Sequence, residues 1–133
     1  MKTVGEIQAM LAKVGASQIM ADYDTDGNVI ALSFRIKVEQ EFISFKLPTD
    51  WKPVQETLRR QNVSRQYQTP EHALRVAWRI TKNWVEAQLA IIETKMVTTA
   101  QVFLPYAITK DGSTVYEYIA NNQGLLLGTG ETQ

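Results

Sequence analysis

The chain contains no cysteine, a single histidine and no long apolar run, and each absence removes a class of chemistry. Without cysteine there is no disulfide framework, no thiolate metal site and no thiol nucleophile. The lone histidine, His72, falls in the first turn of a predicted helix on its polar side, where exposure is expected, and no serine or cysteine triad can be built on it. No stretch approaches the roughly 18 uninterrupted apolar residues of a membrane span, so no membrane partner is expected. Met1 to Glu6 lack the apolar run of a secretory signal. A cytoplasmic location is compatible with all of this. Neither an internal repeat nor a low-complexity linker divides the sequence.

Net charge is lacking too: fourteen Lys and Arg balance fourteen Asp and Glu, so the total imposes no polyanion partner. The distribution is uneven. Residues 1–50 carry five basic and seven acidic groups, residues 52–82 carry seven and two, and residues 83–133 carry two and five, giving nets of −2, +5 and −3. The positive charge is therefore concentrated in one middle segment. With 133 residues, 44% of them hydrophobic, the chain has the size and composition of one globular domain spanning 1–133, with 123–133 expected as a loosely held tail. At this length folding buries roughly two thirds of the surface of the unfolded chain, so no disulfide, metal or cofactor is needed to hold it together.

The hydrophobic period changes along the chain. Thr3 and Glu6 fit a capping box, and Val4, Ile7, Met10, Leu11 and Val14 recur at helical spacing up to Gly15, predicting a helix over 4–14. From Gln18 the period is two. Ile19, Ala21 and Tyr23, then Ile30, Leu32, Phe34, Ile36 and Val38, then Ile43, Phe45 and Leu47 predict three half-buried strands, the first two joined by an Asp26-Gly27-Asn28 turn and the third ended by Pro48. Residues 48–69 read as polar, irregular and mobile, with a short helix opened by Pro53 and carrying Val54 and Leu58. Thr69-Pro70-Glu71 supplies an N-cap, a proline at N1 and a first-turn acid for a helix running to about Met96. Phe103 to Tyr106 reads as a turn packed on the core, and Thr114 as the cap of a short helix through Val115, Tyr116, Tyr118 and Ile119. The fold class is α+β: a three-stranded antiparallel meander packed against a long central helix, with short helices at both termini.

The long helix carries the most information. Its polar residues, including Arg75, Arg79 and Lys82, fall within an arc of roughly 120°, and the remainder forms two apolar stripes. Ala73, Ala77, Ile80, Trp84, Ala87 and Ile91 make one; Leu74, Trp78, Val85, Leu89, Ile92 and Met96 make the other. A helix resting on a sheet needs an apolar arc of about 100°, and this one has about twice that. It must be covered on two sides. The expected second cover is the N-terminal helix, the C-terminal segment, or the same helix of another subunit, and the last predicts a homo-oligomer. Thr81 and Gln88 border the stripes, where burial would require hydrogen-bond partners. Trp78 and Trp84 read as core residues in preference to ligand-stacking ones.

Two constellations are candidates for chemistry. Asp22, Asp24 and Asp26, followed by Gly27, match the first half of a calcium loop, but position twelve is Ser33, which has no carboxylate, and the flanks read as strands. An acidic hairpin tip is the preferred reading, leaving these three aspartates as weak metal candidates. The second constellation is basic: Lys52, Arg59, Arg60, Arg65, Arg75, Arg79 and Lys82, with Trp51 and Tyr67 available to stack on a base. The alternative is an ordinary solvated face paired with nearby acids. The glycines from Gly124 to Gly130 lack a lysine and a following helix, so they form no phosphate loop.

Ala77-Trp78-Arg79-Ile80 followed by Trp84-Val85-Glu86-Ala87-Gln88-Leu89-Ala90, with Phe103-Leu104-Pro105-Tyr106 and Asp111-Gly112-Ser113-Thr114-Val115-Tyr116-Glu117, resembles small uncharacterised proteins encoded in phages and prophages. Gly15-Ala16 and Phe45-Lys46-Leu47-Pro48 extend the likeness toward the N-terminus. The resemblance implies a mobile-element origin and a bacterial cytoplasm, and carries no activity or site residues. The expected function is non-enzymatic binding of a phosphate-bearing ligand, a nucleotide or a nucleic acid, through the basic segment. The alternative is a protein that inhibits a host factor through residues 48–69. A hydrolase is the weakest reading, since only the Asp22, Asp24, Asp26 cluster offers the acids it would need.

Overall fold

A computed structural model describes residues 2–122, so the predicted C-terminal tail lies outside the described residues. The chain is α+β, as the periodicity predicts. Helix α1 (Lys2–Lys13) leads into strands β1 (Gln18–Tyr23), β2 (Val29–Val38) and β3 (Glu41–Lys46), which form an antiparallel sheet in the order β1-β2-β3. Then come α2 (Trp51–Arg60), a 3-10 turn (Arg65–Tyr67), the long α3 (Pro70–Glu93), α4 (Thr99–Phe103), a second 3-10 turn (Leu104–Tyr106) and α5 (Val115–Asn121).

The register places Phe34 opposite Phe45 and Ile36 opposite Ile43, so the apolar set of β2 and β3 shares one face. That face packs on a helical layer. Leu32, Phe34 and Phe45 from the sheet join Leu74, Trp78 and Val85 of α3, Ile7 and Leu11 of α1, and Phe103 in one core. Phe103 fills its centre, with its ring 5.3 Å from Phe34 and 5.5 Å from Trp84, both edge-on. The Trp78 indole N–H donates to the Val29 carbonyl at 2.9 Å, which keeps a buried polar atom satisfied. Beyond the second 3-10 turn, the Ile108 amide donates to the Ser44 carbonyl at 2.8 Å and covers part of the β3 edge.

Several sequence expectations are corrected. The 48–69 segment is not irregular: it contains the ten-residue α2, which starts at Trp51, two residues before Pro53. Asp50 is the cap, accepting from the Lys52 amide at 3.1 Å, and Pro53 is accommodated because first-turn N–H groups have no intrahelical acceptor. Helix α3 stops at Glu93, before Met96, which is 71% exposed and outside the core. The predicted turn at 103–106 is the end of α4 followed by a 3-10 turn, capped at the start by a box between Thr98 and Gln101. Tyr23 is exposed beyond an irregularity between Asp22 and Tyr23, where the β1–β2 register shifts.

The double coverage of α3 holds, and one source is the N-terminal helix, as expected, while the other, α2, is not among the expected covers. Helix α1 packs on one flank and α2 on the other, so most of the wide apolar arc is satisfied within one chain. Thr81, at the border of the stripes, is buried and donates to the Ala77 carbonyl at 2.9 Å. Its single proton is thereby used, so the Thr49 hydroxyl is the donor in their 2.8 Å contact. This bond ties the loop before α2 to α3.

Candidate functional site

The predicted cationic residues are placed by α2, the 3-10 turn and α3, and they do not act as one group. On α3, Arg75 and Arg79 stand four residues apart, one helical turn, and both are exposed. Among the described residues only two ion pairs form, and neither involves these arginines. Lys82 is drawn toward α1, its Nζ 3.4 Å from Glu6 Oε1, and Arg59 pairs with Glu56 at 3.7 Å within α2. Arg60 donates to the Thr57 hydroxyl at 3.2 Å, and Arg65 lies exposed in the 3-10 turn. Glu71, the acid one turn before Arg75, lines a cleft beside the β1–β2 hairpin tip. Arg75 and Arg79 are a like-charge pair at helical contact spacing, and neither forms an ion pair among the described residues. Such a pair costs an isolated helix about 0.2–0.5 kcal/mol, a cost that a bound anion would reverse.

The predicted stacking residues lie elsewhere. Trp51, at the start of α2, lines the cleft that holds Asp24, Asp26 and Glu71, and the Lys52 ammonium sits 5.9 Å from its ring centroid. A negatively lined cleft is a poor seat for a nucleotide, so Trp51 is not combined with Arg75 and Arg79. Tyr67 is 45% exposed and packs its ring 5.1 Å from that of His72, leaving it available at the N-terminal end of α3.

The metal reading of the hairpin tip fails on its hydrogen bonds. Asp24 Oδ1 accepts from the backbone amides of Asp26 and Asn28, each at 2.9 Å, and Oδ2 from the Asn28 side chain at 3.3 Å. The Asn28 amide is the main influence holding the Asp24 carboxyl below its ordinary value, opposed by a smaller desolvation. The carboxylate thus closes the turn, with Gly27 at φ +82° completing it. Among the described residues no three Asp, Glu or His side chains converge as a metal would need, and Asp22, Asp24 and Asp26 are withdrawn as ligands. A second turn of the same kind surrounds Asp111, at Thr109 to Ser113, where the Lys110-Asp111-Gly112 sequence also reads as a turn. Its carboxylate accepts from the Ser113 and Thr109 hydroxyls, both at 2.6 Å, and from the Ser113 amide at 2.9 Å, which lower its pKa from 3.8 to about 2.

A feature that sequence reasoning missed is an open groove along the outer seam of α2 and α3. It comprises two hollows, of about 380 Å³ and 280 Å³, separated by a ridge of Pro53, Val54 and Ile80 that borders both. Pro48, Asp50, Trp84 and Tyr106 belong to the first hollow; Thr57, Leu58, Gln61 and Val76 to the second. Ile80, from one of the apolar stripes, stays 57% exposed. The signal for it was the stripe itself. Its covering by a helix beginning at Trp51 is not legible in the sequence, where Pro53 reads as that helix's start.

Compared with known proteins, the chain matches no family model, no curated protein and no solved structure.

Proposed function

We propose that the protein is a non-enzymatic binding protein, of the phage or prophage kind its sequence resembles, that holds a phosphate-bearing ligand on the outer face of α3. The observation that supports this most is the exposed pair Arg75 and Arg79, one turn apart and without an acidic partner among the described residues. Guanidinium groups bind phosphate oxygens bidentately, and two of them at this spacing match successive phosphates better than a single one. Arg59, Arg60, Arg65 and Lys82 widen the positive field without joining the contact. The ligand class favoured is an extended polyanion, a nucleic acid strand, because the arginines stand exposed on a convex helix and, among the described residues, line none of its principal hollows. Tyr67 remains the one exposed ring beside the N-terminal end of α3 for a base to stack on.

Fluorescence titration with a labelled oligothymidylate and with a nucleoside triphosphate at low salt tests this. The strand binds and its affinity falls steeply as salt rises, because binding releases condensed counterions. Arg75→Ala with Arg79→Ala removes the binding and leaves the melting temperature nearly unchanged, since exposed arginines contribute little to stability. Failure of wild-type protein to bind either ligand at low salt contradicts the reading. In that case the host-factor inhibitor becomes the better one, supported by the apolar groove that residues 48–61 help to build.

A further inference from the structure

We propose that the outer face of the sheet, turned away from the helices, docks a short acidic segment of another protein that carries a large apolar side chain. This does not rest on the anion reading, since Arg75 and Arg79 stand on α3, in the helical layer that packs on the opposite face of the sheet. Side chains alternate along a strand, so with Leu32, Phe34 and Phe45 in the core their neighbours point outward. The register assembles these neighbours into rows across the strands: Met20, Ser33 and Lys46, then Gln18, Arg35 and Ser44, then Lys37 and Phe42. Arg35 lies at the centre and is held from both flanking strands. Its Nη1 donates to Gln18 Oε1 on β1 at 3.0 Å, and its guanidinium carbon lies 4.6 Å from the Phe42 ring centroid on β3. A guanidinium fixed in this way has little rotamer freedom left to lose on binding. Met20 and Phe42, at diagonal corners of the grid, stay 67% and 51% exposed. Arginine, methionine and an aromatic ring are the residues enriched where proteins meet.

Charge identifies the occupant. At the outward positions of the strands Arg35, Lys37 and Lys46 meet one acid, Asp22, and none of the three cations forms an ion pair among the described residues. Glu41 alternates with Ile43 and Phe45 toward the core side, and Glu39 lies in the β2–β3 turn. The face is thus positive within a neutral chain, and an acidic partner complements it. A second copy does not, because two identical patches would set cations against cations. A nucleic acid strand fits less well: Phe42 already has Arg35 over its ring, whereas strand-binding platforms stack successive bases on free rings. The grid spans about 10 Å across the strands and about 14 Å along them. That is well under the roughly 800 Å² a side of a standard globular interface, so the occupant is a short segment and not a folded domain.

Selection from a displayed random-peptide library tests the proposal. The target is the full chain carrying Arg75→Ala and Arg79→Ala, so that the anion surface on α3 does not contribute. Counter-selection on the same chain with Lys37→Glu and Lys46→Glu, two exposed positions, removes peptides that bind elsewhere. The recovered peptides carry a net negative charge and an aromatic or long aliphatic residue. In an NMR titration with one of them, amide shifts centre on Arg35, Phe42 and Lys46. Phe42→Ala weakens its binding by roughly tenfold. The Lys37→Glu, Lys46→Glu chain weakens it by roughly tenfold or more with a nearly unchanged melting temperature, a readout that does not depend on Phe42→Ala folding. Recovery of no peptide, or of peptides without acidic residues, overturns the proposal. So does a shift pattern centred away from the sheet, or an oligothymidylate titration whose shifts centre on Arg35 and Phe42, which would give the face to a strand. Failure of Arg75 and Arg79 to bind a strand leaves the peptide result unaffected, so the two readings fail separately.

Discussion

Asp111 shows how one side chain can fix a turn without being buried. Its three short hydrogen bonds organise the loop from Thr109 to Ser113 and hold its pKa at about 2. Because the folded value lies below the unfolded one, the native state binds fewer protons than the unfolded chain between those values. The contribution is fully present above the ordinary value of 3.8 and is lost as pH falls through about 2. Lowering the pH should therefore move the Ser113 amide proton resonance with a midpoint near 2, and a midpoint at the ordinary carboxylate value would show that these bonds do not form in solution. Thr81 makes the complementary point inside the protein. The sequence placed it between two apolar stripes, where only hydrogen bonding makes burial tolerable, and the structure supplies both Ala77 and Thr49. The need for partners was legible from the residue; Thr49 was not, because that contact spans 32 positions.

At the scale of elements, the strands and α3 were readable because one face is buried, so burial repeats at the period of the backbone. Helix α2 has no fully buried residue, and its repeat, Val54 and Leu58, is enough to predict a helix but not where it begins. Pro53 reads as N1 but is the third residue of α2, because proline is tolerated anywhere in the first turn. The decisive residue is Asp50, three positions earlier, whose side chain receives the Lys52 amide. Asp50→Ala should destabilise the protein by about 1 kcal/mol, and Asp50→Ser should recover most of the loss. Urea denaturation of the three proteins checks this; an Asp50→Ala variant as stable as wild type would mean that α2 does not depend on its cap. Helix ends shifted for a related reason. Met96 continues the apolar stripe of α3 in sequence, but the helix stops at Glu93, leaving nothing to hold that side chain against the core.

For the whole molecule, charge was legible as an amount and illegible as an arrangement. Seven cations in residues 52–82 suggested one site, whereas the fold diverts Lys82 to Glu6, Arg59 to Glu56 and Trp51 to an acidic cleft. The first and last of these link α1 to α3 and the hairpin tip to α2, contacts between segments far apart in sequence that no local pattern encodes. What remains is narrower: Arg75 and Arg79 on one exposed turn of α3, with Tyr67 nearby. Among the described residues no helix is long and apolar enough to cross a membrane. The apolar width of α3 is covered by its neighbours α1, α2 and the sheet. The most direct test of the anion-binding account is an NMR titration of the full chain with a short oligothymidylate at low salt. The account predicts chemical-shift changes centred on the amides and guanidinium groups of Arg75 and Arg79, reversed by added salt and absent at Trp51; changes centred on Trp51 and the hairpin tip, or none at all, would contradict it.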